Sequence, residues 1–86
     1  MSRAAKFITL EGVDGAGKST HQQFVADAVA AASGRHAIVT REPGGTDLAE
    51  RLREAILTEP LDPLAETLMI FAARAHHVAK VIRPAL

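Results

Sequence analysis

Residues 12–19 have the sequence Gly12-Val13-Asp14-Gly15-Ala16-Gly17-Lys18-Ser19, which fits the pattern G-x-x-x-x-G-K-[ST] at every fixed position. The run Lys6–Glu11 before it is rich in β-formers and predicts a buried strand. After it, apolar residues recur with a helical period. A strand, a glycine-rich loop and a helix in this order form the context that the pattern requires. The segment therefore predicts a phosphate-binding loop.

The residue types in this loop suit a nucleoside triphosphate. Glycines allow positive φ angles that turn successive backbone N–H groups inward, which creates an anion-binding concavity. The N-terminus of the following helix adds unpaired N–H groups and its dipole. The ammonium group of Lys18 can reach the β- and γ-phosphates, and the hydroxyl of Ser19 can bind Mg²⁺. The loop alone does not separate switches, motors and kinases.

The elements after the loop predict an α/β fold. The first helix shows one apolar stripe, formed by Phe24, Val25, Ala28, Val29 and Ala32, and closes at Ser33-Gly34. A second strand is predicted at His36–Thr40, ended by Pro43-Gly44-Gly45. Strand, helix and strand in this order form a βαβ unit, which implies a parallel sheet with flanking helices.

Two further helices are predicted in the second half of the chain. Thr46 or Asp47 caps the first of them, with Glu50 placed as in a capping box. Asp62-Pro63 opens the next with a capping residue and a proline at the first helical position. Its apolar stripe runs towards Pro84 and consists of Leu64, Leu68, Phe71, Ala72, Ala75, Ala79 and Ile82.

Composition excludes several classes of function. Ten Lys and Arg balance ten Asp and Glu, so there is no electrostatic case for nucleic acid or an anionic membrane. Cys is absent, which excludes disulfides and thiol nucleophiles. No apolar run approaches the roughly 20 residues of a membrane span. We therefore expect a soluble, cytoplasmic protein. The histidines His21, His36, His76 and His77 lack metal-ligand spacing, and we expect them to be surface or partly packed residues.

A second constellation follows the second predicted strand. Thr40–Thr46 lies at the carboxyl end of that strand, the edge where the phosphate loop also lies in open α/β sheets. Taken one by one, the arginines of this half are typical exposed charges, and Glu42-Pro43-Gly44-Gly45 is typical of a tight turn. Together with the first loop they indicate a second anionic ligand. These arginines are Arg41, Arg51, Arg53 and Arg74.

The blocks along the chain resemble the N-terminal portion of bacterial thymidylate kinase. The residues that carry the resemblance are Glu11–Thr20, Thr40–Thr46 with Leu52-Arg53, Phe71–Arg74 and Val81–Leu86. The four blocks occur in the family's order and cover nearly the whole chain. The resemblance implies the nucleoside monophosphate kinase fold and transfer of the γ-phosphoryl group of ATP to dTMP with Mg²⁺, giving dTDP and ADP in dTTP biosynthesis.

The resemblance also implies roles for individual residues. Lys18 and Asp14 would be catalytic, with Asp14 near the sugar 3′-hydroxyl of dTMP. Arg53 would bind the dTMP phosphate, and Phe71 would stack on thymine while Arg74 hydrogen-bonds its edge. The implied ATP-binding residues are Gly12, Val13, Asp14, Gly15, Ala16, Gly17, Lys18, Ser19 and Thr20, with Ser19 also the magnesium ligand. The implied dTMP-binding residues are Asp14, Glu42, Pro43, Arg53, Phe71 and Arg74.

Parts of the family pattern are not found in these 86 residues. They are the later strands, an Asp-Arg pair and an arginine-rich lid. Human-type enzymes carry an arginine at the position of Gly15, and its absence here resembles the bacterial class, in which arginines of the lid provide that charge. We therefore expect residues 1–86 to form a single partial P-loop kinase domain, inactive and unstable alone. In the family's sheet order, 2-3-1-4-5, the third strand lies between the two predicted here, whose edges would stay unpaired. The family further implies a homodimer through helices that include the third.

Other classes of function compete with this one. A GTPase-type switch is disfavoured because the chain contains no Asn for a guanine-specifying motif. A P-loop kinase for another small acceptor would share the loop and differ in the acceptor residues. A non-catalytic, nucleotide-binding P-loop fragment would keep the loop alone.

Overall fold

The computed structural model of the protein describes residues 5–12 and 18–86. It contains α1 (Lys18–Ser33), α2 (Asp47–Thr58) and α3 (Pro63–His77). A π-helical segment, Val78–Ile82, and a short α4 (Arg83–Ala85) follow. None of the helices in this described part has both the length and the apolar character needed to cross a membrane.

The C-terminus of α1 and the N-terminus of α3 confirm the caps predicted from the sequence at Gly34 and Asp62. α1 ends where Gly34 takes a positive φ of 71°, and the Gly34 N–H donates to the carbonyl oxygen of Ala30 at 2.9 Å. α3 begins after Asp62, whose Oδ2 accepts from the backbone N–H groups of Leu64 and Ala65 at 3.0 and 3.4 Å. A carboxylate in this place satisfies two N–H groups that have no partner within the helix.

The start of α2 differs in part from its prediction. Thr46 is the N-cap, and its Oγ1 accepts from the N–H of Ala49 at 3.0 Å. The predicted capping box is wrong, because the Glu50 carboxylate instead accepts from the N–H of Gly45 at 2.8 Å and pairs with Arg41. An N-cap at Thr46 places Glu50 one residue beyond the N3 position from which a capping-box side chain reaches back.

The helical run after His77 is continuous but changes its winding. The N–H of Arg83 bonds to the carbonyl of Val78, five residues earlier, which is the π-helical pattern. α4 then begins with Arg83 and Pro84 in its first positions. The sequence pattern predicts one regular helix here, because apolar spacing does not distinguish a π-helical turn from an α-helical one.

The structure does not confirm the predicted parallel sheet. No β-strand forms within residues 5–12 or 18–86, and both predicted runs expose their apolar side chains, which include Phe7, Ile8, Ile38 and Val39. A strand exists only through hydrogen bonds to a neighbouring strand.

The predicted apolar faces of the helices are largely the exposed ones. On α3, Leu64, Leu68 and Phe71 are exposed, and the opposite side carries Ala73 and His77, both buried. α2 and α3 pack against each other, with Ala49 of α2 fully buried as well. On α1, Phe24 is exposed. Small side chains at a helix contact allow a short interaxial distance, so alanine takes the place that periodicity assigned to larger residues.

The chain divides into two compact units, Met1–Val39 and Thr40–Leu86. The first carries α1. The second carries the loop after Thr40 together with α2, α3 and the helical segments that follow. The prediction of one partial kinase domain stays a prediction.

Candidate functional site

The loop between Thr40 and α2 has a backbone that requires glycine at two adjacent positions. Gly44 and Gly45 have φ angles of 142° and 91°, which L side chains rarely adopt. A Cβ atom on Gly44 would collide with the Glu50 carboxylate, and one on Gly45 with the His77 ring and the Thr40 hydroxyl. The peptide bond before Pro43 is cis. The loop therefore lies directly against side chains from α2 and α3.

Glu50 on α2 holds the second half of this loop. Its Oε2 accepts from the N–H of Gly45 at 2.8 Å and from Nε of Arg41 at 3.2 Å, while Oε1 pairs with Nη2 of Arg41. The hydrogen bonds from Arg41 and then from Gly45 lower the pKa of Glu50 to about 2, with the charge of Arg53 contributing. Glu50 is thus an ionised acceptor that joins the loop to the start of α2.

His77, the last residue of α3, holds the first half of the loop. The residue is 1% exposed. Nδ1 lies 2.9 Å from Oε2 of Glu42, and Nε2 lies 2.7 Å from Oγ1 of Thr40. Because an ionised carboxylate only accepts, the Nδ1–H donates to Glu42; Nε2 then accepts from the Thr40 hydroxyl in the neutral ring. Both ring nitrogens are satisfied, as burial requires.

Glu42 receives a second donor from α3. Nε of Arg74 donates to its Oε1 at 2.7 Å, so that Arg74 and His77, three residues apart, bind the two oxygens of one carboxylate. Partial burial raises the pKa of Glu42, but the hydrogen bonds from His77 and Arg74 outweigh it, and the pKa is lowered overall. The carboxylate therefore stays ionised while it accepts from Nε of Arg74.

Arg53 and His76 complete the contacts of the loop. Nη1 of Arg53 donates to the carbonyl oxygen of Pro43 at 3.0 Å. Nδ1 of His76 lies 2.8 Å from Oγ1 of Thr46, the N-cap residue of α2. The neighbouring histidines of α3 thus contact threonines at opposite ends of the loop.

The structure brings together four of the residues implied in dTMP binding. Glu42, Pro43, Arg53 and Arg74 are joined by hydrogen bonds around the loop. Phe71, which is 59% exposed, lies three residues before Arg74 on α3. The side chains of Lys18 and Ser19 lie outside the described part of the chain, as do the other loop residues from Val13 to Gly17, including Asp14, Gly15 and Ala16. Gly12 and Thr20 are described, Thr20 in the first turn of α1.

Sequence reasoning missed the residues that position this loop. His77 is buried, whereas we expected surface or partly packed histidines. The spacing argument tested only for metal ligands and could not show that the ring meets Thr40 and Glu42, 37 and 35 residues away in the chain. The signal available was a pair of adjacent polar rings at the end of α3. Glu50 was assigned to a capping box rather than to Gly45 and Arg41.

A family model for thymidylate kinase matches residues 10–86. Thymidylate kinases of Burkholderia ambifaria strain MC40-6 and Burkholderia cenocepacia strain HI2424 are 56% and 55% identical to the chain over 86 aligned residues. Each alignment covers 96% of this chain and 42% of the relative, so the chain spans less than half of the relatives' length. The crystal structure of thymidylate kinase from Ehrlichia chaffeensis matches with a TM-score of 0.77 and 40% identity, over 88% of this chain and 44% of that one.

The likeness to this solved structure indicates the nucleoside monophosphate kinase fold. The described residues of this chain contribute helices and irregular segments to that fold. The family model and the curated relatives both identify a family more specific than this fold. The chain belongs to the thymidylate kinase family.

The loop geometry predicts unequal effects for two glycine substitutions. Gly34→Ala places a Cβ at a positive φ with no atom within 4 Å, so it should cost about 1–2 kcal/mol of backbone strain. Gly45→Ala adds a collision with His77 and Thr40, which should cost roughly 1–3 kcal/mol more. We would measure thermal unfolding in a hybrid protein in which residues 1–86 replace the matching part of Burkholderia ambifaria thymidylate kinase. Equal losses for the two variants would contradict the described packing of the loop.

The lowered pKa of Glu50 predicts a dependence of stability on pH. Its stabilising contribution should be complete above the ordinary carboxyl pKa of 4.5 and should decline as the pH falls towards 2. The difference in thermal midpoint between the hybrid and its Glu50→Gln variant should therefore be constant above about pH 5.5 and shrink below about pH 4.5. Glu54→Gln, which changes an exposed carboxylate on the same helix, is the control. A difference that grows on acidification would show the opposite linkage.

Proposed function

We propose that this chain supplies the donor loop and the acceptor-binding face of an enzyme that transfers the γ-phosphoryl group of ATP to dTMP, giving dTDP and ADP. The observation that carries the proposal is the cluster in which Arg74 and His77 bind the two oxygens of Glu42, beside the contact of Arg53 with Pro43. Membership of the thymidylate kinase family supports the assignment of Glu42, Pro43, Arg53 and Arg74 to the acceptor side.

The cluster is suited to bind a nucleoside monophosphate. Glu42 engages the Nε group of Arg74, and the side chain of Arg74 is 55% exposed, so its outer nitrogens can face a base edge. The exposed ring of Phe71 offers a stacking surface three residues earlier. Arg53 donates to Pro43 through one nitrogen, and the other donors of its planar guanidinium suit a phosphate. We assign Asp14 to the sugar 3′-hydroxyl.

The donor side of the proposal rests on residues 12–20. α1 begins at Lys18, so the unpaired N–H groups of its first turn directly follow the glycine-rich segment, as a triphosphate site requires. Lys18 and Asp14 are assigned as catalytic residues. Ser19 would hold Mg²⁺, which supplies positive charge to the β- and γ-phosphates when bound. The hydroxyl and ammonium donors of this segment fit ATP with Mg²⁺.

Turnover would require groups in addition to those of the two sites described above. Phosphoryl transfer depends on positioning and on charge around the γ-phosphate. We assign that charge to a lid with arginines, beyond the segments found in these 86 residues. Lys6–Glu11 and His36–Thr40 would become strands of a parallel sheet once the intervening strand is supplied. The enzyme would act as a cytoplasmic homodimer in dTTP biosynthesis, without nucleic acid or membrane partners.

Activity of the hybrid protein tests the proposed reaction. We expect magnesium-dependent formation of dTDP from ATP and dTMP, followed by chromatography of the nucleotides, and no turnover by the 86-residue chain alone. Lys18→Ala in the hybrid should lower kcat by about 10²–10³-fold, since a contact to developing phosphate charge is worth roughly 3–4 kcal/mol. A correctly folded hybrid without dTMP kinase activity would favour a non-catalytic nucleotide-binding segment. Phosphorylation of another acceptor in preference to dTMP would favour a different small-acceptor kinase.

A second variant tests the acceptor assignment. Arg74→Ala should lower kcat/KM for dTMP by roughly 10- to 100-fold, because a hydrogen bond from a charged group contributes about 1.5–3 kcal/mol. KM for ATP should stay unchanged. Arg51→Ala is the matched control, since this arginine is exposed on α2. Equal losses for ATP and dTMP would show that Arg74 supports the fold rather than the acceptor.

A further inference from the structure

The Arg74–Glu42 pair is too exposed to fix its own geometry. Its side chains are 55% and 30% exposed. Exposed ion pairs contribute about 0–1 kcal/mol because solvent screens them and because both side chains lose conformational freedom. The pair therefore needs another contact to keep the guanidinium in one orientation.

His77 provides that contact from the buried side. The ring binds the Glu42 oxygen that Arg74 does not use, and its other nitrogen meets the hydroxyl of Thr40. It also lies where a Cβ on Gly45 would fall, so the ring fills the space between α3 and the loop. A buried imidazole with both nitrogens bonded has one orientation, because any rotation leaves a polar atom without a partner. His77 is thus the rigid member of the series Thr40, His77, Glu42 and Arg74.

We propose that His77 is a positioning residue for the acceptor nucleotide. By holding Oε2 of Glu42, it keeps Oε1 aligned on Nε of Arg74 and so aims the outer edge of the guanidinium at the base. The inference rests on the proposed function, since it presumes that Arg74 faces the acceptor. His77 touches no reacting atom. Its effect is on the affinity for dTMP and not on the use of ATP.

Two substitutions at His77 separate positioning from packing. The side chain introduced by His77→Asn carries an amide nitrogen close to the position of Nδ1 and can still donate to Glu42. The longer amide introduced by His77→Gln extends instead towards the position of Nε2 and Thr40. The two variants are therefore compared in the hybrid protein. The adjacent histidine supplies the matched controls, His76→Asn and His76→Gln, because it contacts Thr46 instead of Glu42.

We expect His77→Gln to raise KM for dTMP by about 10-fold, as for loss of a part-buried hydrogen bond to a charged group. KM for ATP should remain within about 2-fold of the parent value, because the hydrogen bond from His77 to Glu42 supports the dTMP site and not the ATP site. His77→Asn should restore most of the affinity for dTMP. The controls at His76 should leave the ratio of the two KM values unchanged. Thermal midpoints measured in parallel exclude loss of fold as the cause.

Several outcomes would overturn the inference. Equal KM values for dTMP in His77→Gln, His77→Asn and the parent would show that His77 positions nothing. A parallel rise in both KM values with a lowered thermal midpoint would assign it to packing alone. Nitrogen-15 spectra of the His77 ring in the hybrid protein add a readout independent of activity, with hydrogen expected on Nδ1. Failure of the proposed function is distinct, since the parent hybrid would then not phosphorylate dTMP.

Discussion

The geometry of the Thr40–Thr46 loop depends on the buried ring of His77. The imidazole links the hydroxyl of Thr40 to the carboxylate of Glu42, and it occupies the space left by the missing side chain of Gly45. Removing either ring contact would leave a polar atom buried without a partner, which costs about 1–3 kcal/mol. The positions of Glu42 and Arg74 follow from this one side chain at the end of α3.

Two carboxylates organise the arginines around the loop. Glu42 binds Arg74, and Glu50 binds Arg41 while also accepting from the backbone of Gly45. Hydrogen bonds hold both carboxyl pKa values below their usual range, so both acids are charged at neutral pH. Glu50 accepts from two nitrogens of Arg41, whereas Glu42 accepts from Nε of Arg74 and is itself held by His77. Paired acids of this kind can orient a cation towards a ligand.

The residues buried on α2 and α3, which pack against each other, are small or polar. They are Ala49, Ala73 and His77, while Leu64 and Leu68 of α3 are exposed. Helical periodicity identifies an apolar face but does not say whether a neighbouring helix, a sheet or another molecule covers it. A close contact between two helices selects alanine, because larger side chains would separate the axes.

Local sequence determined the elements whose cause is local. Asp62-Pro63 begins α3 and Gly34 ends α1 because capping groups and a positive φ act within a few residues. Order and spacing of the motif blocks were likewise sufficient to indicate the family, which the comparisons confirm. Only the tertiary structure decided the contacts between residues more than 30 positions apart, namely those of His77 with Thr40 and Glu42 and of Arg74 with Glu42. It also decided that neither β-rich run forms a strand among the described residues. The physical reason is the same in both cases: a ring's hydrogen bonds and a strand's ladder depend on partners brought near by packing, which residue type and periodicity do not encode.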